Sequence, residues 1–322
     1  MNLSHPRNFS RHAPSTRPAP GRLKFLLLLC VACCTAPASS REIALTFDDA
    51  PRPSTALLGG RDRASLLIDQ LQRAGVEQAG IFVVANRLDA EGIERIGRYA
   101  AAGHMIANHS FTHTHLRTMT TEAYLEDVAK ADAALRGLPG FTPLFRFPYL
   151  DEGDTVEKRD AVRAGLQAMG YRQGYVTIDD YDWYIDALAQ KAVEQGTPID
   201  RDALCRFYVT AITAAADFHD DLAVKHLGRS PRHVLLLHEN DIAALCVGQL
   251  VQALKQQDWT LTRVSRAFED PIAEQTPETM LLGQGRVAAL AVDHGDPKAS
   301  VFGPYEEEAE LDRLFAEQVI VK

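Results

Sequence analysis

From Glu42 onward the chain alternates short β-rich runs with amphipathic helical runs, and this alternation limits its fold more than any other feature. "EIALTF" (Glu42 to Phe47) reads as a strand, "RASLLIDQLQRAG" as a helix stopping at Gly75, and "GIFVV" as a buried strand. "GIERIGRYAAAG" reads as a helix closed by Gly103, and "HMIAN" as the next strand. Then come the helix "TEAYLEDVAKADAAL", with Thr120 or Thr121 as its N-cap, strand-like "LFRF", helix "KRDAVRAGLQAMG" and strand "GYVTI". A helical region from Arg201 to about Leu227, strand "HVLLL", helix "AALCVGQLVQALKQQ" and strand "WTLTRV" complete the pattern. Such repetition predicts an α/β fold with a parallel sheet and helices outside it, open or closed into a barrel. The pattern weakens after Asp270. One domain is therefore expected over residues 39–270, with 271–322, including "EEEAELDRLF", as an extension packed on or appended to it.

In parallel α/β folds chemistry gathers at the C-terminal ends of the strands. Five of the strand-like runs here end in titratable or special residues: Asp48-Asp49, His109, Pro148-Tyr149, Asp179-Asp180 and His238. Neighbours in a regular strand face opposite ways, so Asp48 and Asp49 share a site only where the chain leaves the ladder, which Pro51 and Pro53 favour. His109 and His113 are four apart, and one helical turn would put both on one face, as metal binding requires. His115 is off that spacing and reads as surface or support. Each cluster also has a plainer reading. The acid pair can be a turn and the histidines a solvated turn. Arg146 can be an ion-pair partner, Asp179, Asp180 and Asp182 a solvated loop, and His238 a hydrogen-bonded core histidine.

Taken together, the motifs resemble those of the polysaccharide deacetylases, carbohydrate esterase family four. "TFDD" with Pro51, "NHSFTH", "RFPY", "DDYDW" and "LLLH" are similar to its five motifs, in order, between about Ile43 and Trp259. The resemblance implies a distorted, incomplete (β/α) barrel. It implies that Asp49, His109 and His113 hold one divalent metal ion, with zinc expected. It makes Asp48 the general base held by Arg146, and His238 the general acid tuned by Asp182. Trp183 and Leu236 would line the pocket for the acetyl methyl, and the Tyr149 backbone amide would help stabilise the oxyanion. Ala50 stands where the family usually has Gly, and Glu239 where Asp is common.

These roles are chemically coherent. Two neutral imidazoles and a carboxylate leave a zinc ion an open position for water, and the leaving nitrogen of an amide needs a proton that a histidine can supply. The expected function is removal of N-acetyl groups from an acetylated glycan. De-O-acetylation of xylan-like polymers uses the same parts, and a metal-stabilised carbohydrate-binding protein is the non-enzymatic alternative, although binding alone needs neither Asp48 nor His238.

Charge and leader bear on partners and location. Residues 1–38 carry Arg7, Arg11, Arg17, Arg22 and Lys24 and no acid, so the rest is more acidic than the net −9 of the whole. So acidic a body argues against nucleic acid as a partner. The apolar run "FLLLLCVACCTA" followed by Ala36-Pro37-Ala38 reads as a secretory signal peptide over residues 1–38, which predicts an exported, periplasmic or extracellular protein. Val31-Ala32-Cys33 resembles the end of a lipoprotein box, so a membrane tether is expected only if Cys33 is lipidated. Cys205 and Cys246 remain, as one disulfide or two buried thiols. Mass spectrometry of protein secreted by a bacterial host should find the N-terminus at Ser39. Diacylglyceryl-modified Cys33 would establish the tethered form instead.

Overall fold

The computed structural model describes residues 10, 12–15 and 41–321. The expected signal peptide, its cleavage site and Cys33 lie outside them, except for residues 10 and 12–15. The described residues from 41 to 321 form one compact unit. Its elements run β1 (Arg41–Ala50), α1 (Gly60–Arg73), β2 (Gly80–Val83), α2 (Ala90–Ala101), β3 (Met105–Asn108), α3 (Thr121–Leu135) and β4 (Phe141–Phe145). They continue with α4 (Val156–Ala168), β5 (Arg172–Gln173), α5 (Asp182–Glu194), α6 (Arg201–Leu227), β6 (Arg232–His238) and α7 (Asp241–Gln256). β7 (Trp259–Leu261), α8 (Val264–Ala267), α9 (Arg286–Asp293) and α10 (Glu308–Gln318) complete the chain.

The strands are parallel, in the order β5-β4-β3-β2-β1-β6, with β7 paired to the first three residues of β1. β2 is apolar and buried throughout, and β1 is buried from Ile43 to Asp48, as expected of strands covered on both faces. The helices predicted from periodicity form, and Thr120 caps α3 by accepting from the Ala123 N–H. This is the predicted incomplete (β/α) barrel: the sheet does not close.

One sequence expectation is corrected. "GYVTI" does not form a regular strand. The ladder there is only Arg172–Gln173 on β4, after which Thr177 and Ile178 donate to the Val234 carbonyl of β6. The carbonyls of Gly174 and Tyr175 accept from the Arg146 guanidinium instead of from a neighbouring strand. α5 was not anticipated, although Ile185, Ala189 and Ala192 mark its buried face. The C-terminal residues pack on the rest of the domain: Leu311, Phe315 and Val319 join the main core, and Val287, Ala288 and Leu290 pack with Ala44, Phe82 and Val234.

Cys205 of α6 and Cys246 of α7 are joined in a disulfide, with Cα atoms 5.2 Å apart. It closes a loop spanning 41 positions. Constraining a loop of that size in the unfolded chain contributes about 2–4 kcal/mol. Cys205→Ala with Cys246→Ala should therefore lower the urea-unfolding free energy by about that amount. An unchanged midpoint would mean that α6 and α7 hold together by packing alone.

Candidate active site

β1 delivers two adjacent acids to one place by leaving its ladder. Its pairing with β2 shifts register between Phe47 and Ala50, and Asp49 there adopts a left-handed conformation (φ 70°). That break turns Asp49 out of the strand's alternation, as Pro51 and Pro53 suggested. On the other edge of β1, Asp48 lies in register with His238 of β6, so parallel pairing alone sets base and acid candidates side by side.

The predicted ligand cluster assembles. One donor atom from each of Asp49, His109 and His113 lies within 4.8 Å of the others. The helical turn expected for the histidines is absent: residues 109–115 form a loop in which Ser110 (φ 69°) and His113 (φ 56°) are left-handed. The Ser110 Oγ accepts the His113 N–H at 2.9 Å and holds that loop in place. A spacing of four fits either shape, so sequence could not choose between them.

The donor set suits a divalent cation. His109 Nδ1–H donates to the Arg146 carbonyl at 3.0 Å, which leaves Nε2 unprotonated and directed at the carboxylates. Burial takes the His109 pKa down to about 4 against the opposing charge of Asp48, so the ring is neutral. Asp49 Oδ1 lies 2.9 Å from His113 Nε2 and 3.9 Å from His109 Nε2, buried but without an aligned hydrogen bond. Three lone-pair donors converging within 4.8 Å, one of them an orphaned carboxylate oxygen, suit an ion with bonds of about 2.1 Å.

Asp48 is buried and held from one side. Its Oδ1 accepts from the Arg146 guanidinium at 2.6 Å, while Oδ2 lies 3.6 Å from His109 Nε2. Arg146 also donates to the Thr46 hydroxyl and lies over the Phe82 ring, 3.8 Å from its centroid.

His238 is fixed by the first residue of α5. Its Nδ1–H donates to Asp182 Oδ1 at 2.6 Å, and its backbone N–H to Asp182 Oδ2 at 2.9 Å. Asn240 donates to the same oxygen. Burial pulls the His238 pKa down, but Asp182 outweighs it and brings the pKa up to about 9. The imidazole is charged at neutral pH and has Nε2 left for the cleft.

All these groups except Arg146 and Asp182 open into one cleft of about 450 Å³, along with Tyr149, Trp183 and Leu236. Arg146 and Asp182 stand behind Asp48 and His238. Sequence reasoning left His115 as surface or support and gave no role to Tyr181, Leu282 or Gly283, which also line the cleft. His115 stacks flat on Tyr149 with ring centroids 3.7 Å apart, and its Nδ1–H donates to the Asp151 carboxylate at 3.0 Å. Tyr181 follows the acid pair. Leu282 and Gly283 come from the C-terminal segment, where no motif signalled them.

The polysaccharide deacetylase family model matches residues 35–173. A chitin deacetylase of Colletotrichum lindemuthianum is 30% identical over 235 residues, covering 71% of this chain and 79% of that protein. Chitin deacetylase 1 of Cryptococcus neoformans is 31% identical over 147 residues, which are 44% of this chain and 29% of that longer protein. The fold is similar to that of the catalytic domain of a peptidoglycan N-acetylglucosamine deacetylase from Eubacterium rectale, with a TM-score of 0.50 at 19% identity over 70% of this chain and 90% of the other.

If Asp49, His109 and His113 hold an ion, zinc-equilibrated protein should carry about one per chain by elemental analysis. Asp49→Ala and His113→Ala should strip it. Asp48→Asn should keep it and lose at least about a hundredfold in turnover. Full occupancy in the first two variants would overturn the ligand assignment.

Proposed function

The chain belongs to the polysaccharide deacetylase family, and we propose that within it this protein is an exported, metal-dependent hydrolase removing N-acetyl groups from a glycan. The observation that carries this reading is the charge pairing in one cleft. Asp48 is held by Arg146 and His238 by Asp182, both beside the Asp49–His109–His113 cluster. A metal-stabilised carbohydrate-binding protein would need the walls and the ligand cluster but no oriented acid and base. Export is supported by the leader's composition and by the disulfide, which suits an oxidising compartment.

Asp49, His109 and His113 would hold the ion, and two imidazoles with one carboxylate suit zinc. A bound divalent ion supplies Lewis acidity there, acidifying water and polarising the acetyl carbonyl. Asp48 has Oδ1 tied to Arg146 and Oδ2 turned toward the cluster, so it accepts the proton of the attacking water. His238, charged and oriented by Asp182, gives the Nε2 proton to the leaving nitrogen, which departs as a neutral amine. Leu236 and Trp183 receive the acetyl methyl. The backbone N–H of Tyr149, a residue held left-handed (φ 59°), donates to the oxyanion.

Acetate release should be measured across peptidoglycan, chito-oligosaccharides and acetyl-xylan. Turnover on an N-acetylated glycan is expected. Release from acetyl-xylan alone would reassign the protein as an ester hydrolase, and tight glycan binding without turnover would make it a binding protein. His238→Ala should cut amide hydrolysis by at least about a hundredfold but spare an activated ester, whose leaving group needs no proton. Because the donor is the imidazolium, amide turnover should fall as pH rises through about 9.

A further inference from the structure

Three large apolar side chains left exposed on this protein open into the same cleft. Tyr149 is 47% exposed, Trp183 39% and Leu282 41%. They come from distant parts of the chain: the turn after β4, the start of α5, and the segment before α9. Apolar groups grouped in a concave site mark a surface that something covers. A volume of about 450 Å³ exceeds what an acetyl group fills. It lies in the range of about 300–1,000 Å³ typical of sites for drug-sized ligands, the size of a disaccharide.

The position of Leu282 is fixed by its neighbours. Gly283 adopts a left-handed conformation (φ 65°) and donates its N–H to the Tyr149 carbonyl at 3.3 Å. At Gly285 a Cβ would lie 2.8 Å from the Val176 carbonyl oxygen, so only glycine allows the chain so close. The next N–H, from Arg286, donates to that same carbonyl at 2.7 Å. The buried Arg286 guanidinium donates to the Ile272 and Ala273 carbonyls and lies over the Tyr175 ring. The chain just after Leu282 is thus pinned, and Gly283 holds it beside Tyr149.

We propose that Leu282 contacts the substrate and sets specificity: with Tyr149 it covers the apolar face of the sugar ring next to the acetylated one. The C–H-rich face of a pyranose fits such a surface, while Arg52, His115 and Asp179 on the same cleft offer polar groups to its hydroxyls. The protein then favours oligosaccharides over single sugars. This rests on the deacetylase reading above.

The test compares acetate release from a chito-oligosaccharide tetramer and from N-acetylglucosamine. Leu282→Ala should raise KM for the tetramer about fivefold, with kcat changed less than about twofold, and should move the single sugar's KM much less. Leu282→Met, which keeps the apolar bulk, should restore the tetramer's KM. A tetramer KM unchanged in Leu282→Ala, or equal losses on both substrates, would overturn the inference while the unmutated protein remains a deacetylase. Failure of Leu282→Met to restore KM would assign a structural role instead. If the unmutated protein releases acetate from no glycan, the deacetylase reading fails and this inference falls with it.

Discussion

A guanidinium placed inside a sheet must have its charge and its donors answered, or it costs several kcal/mol. Arg146 is 1% exposed, and its partners span the fold. It donates to Thr46 and Asp48 on β1 and to the carbonyls of Gly174 and Tyr175 beyond β5, and it rests on Phe82 of β2. Its own carbonyl accepts the His109 Nδ1–H. One residue therefore orients the candidate base and sets the tautomer of a candidate metal ligand. It also occupies carbonyls that a further strand would need. Removing one partner of such a buried pair costs about 3–5 kcal/mol, so Arg146 supports folding as well as chemistry.

The backbone around the ligands is strained where it is functional. Among the described residues seven non-glycines have positive φ, and five of them (Asp49, Ser110, His113, Tyr149 and Leu150) lie in the cleft or beside it. Such conformations cost of order 1–3 kcal/mol each and persist where the surroundings over-determine them. Here they do. Asn108 Oδ1 accepts the Ser110 N–H, Asp127 accepts the N–H groups of Phe111 and Thr112, and Ala85 donates to the Ser110 carbonyl. The directions of the donors are fixed by folding.

What sequence made legible was whatever depends on local pattern. The β–α alternation gave the fold class, and the residues at strand ends gave Asp48, Asp49, His109 and His238. Each of these follows from strand direction and needs no knowledge of distant packing. The shape of the His109–His113 loop was hidden because helix and loop both accommodate that spacing. The irregular path of residues 174–178 was hidden because β-rich composition does not reveal that Arg146 takes the carbonyls. Pairing of Cys205 with Cys246 depends on how α6 meets α7, and the place of Leu282 in the cleft depends on how the C-terminal segment folds back. These are long-range facts.

Glu239 shows how a departure from a family pattern is accommodated. Where the family commonly has Asp, its longer side chain is fully buried and accepts from Arg95 at 2.8 and 3.0 Å, from Tyr99 at 3.0 Å and from the Arg52 N–H at 2.8 Å. Arg63, paired with Asp241 at 2.5 Å, donates in turn to the carbonyls of Arg52 and Pro53, and Arg95 to that of Arg52. Four buried charges thus close on the loop that follows Asp48 and Asp49. Ala50, standing where the family usually has Gly, begins that loop with a cis bond to Pro51 and is itself fully buried. Because α1, α2, the turn after β6 and the start of α7 all contribute, the path of the chain after the two acids is held by the body of the fold. The acids can then leave the β1 ladder together without the loop behind them being free to carry them away from the histidines.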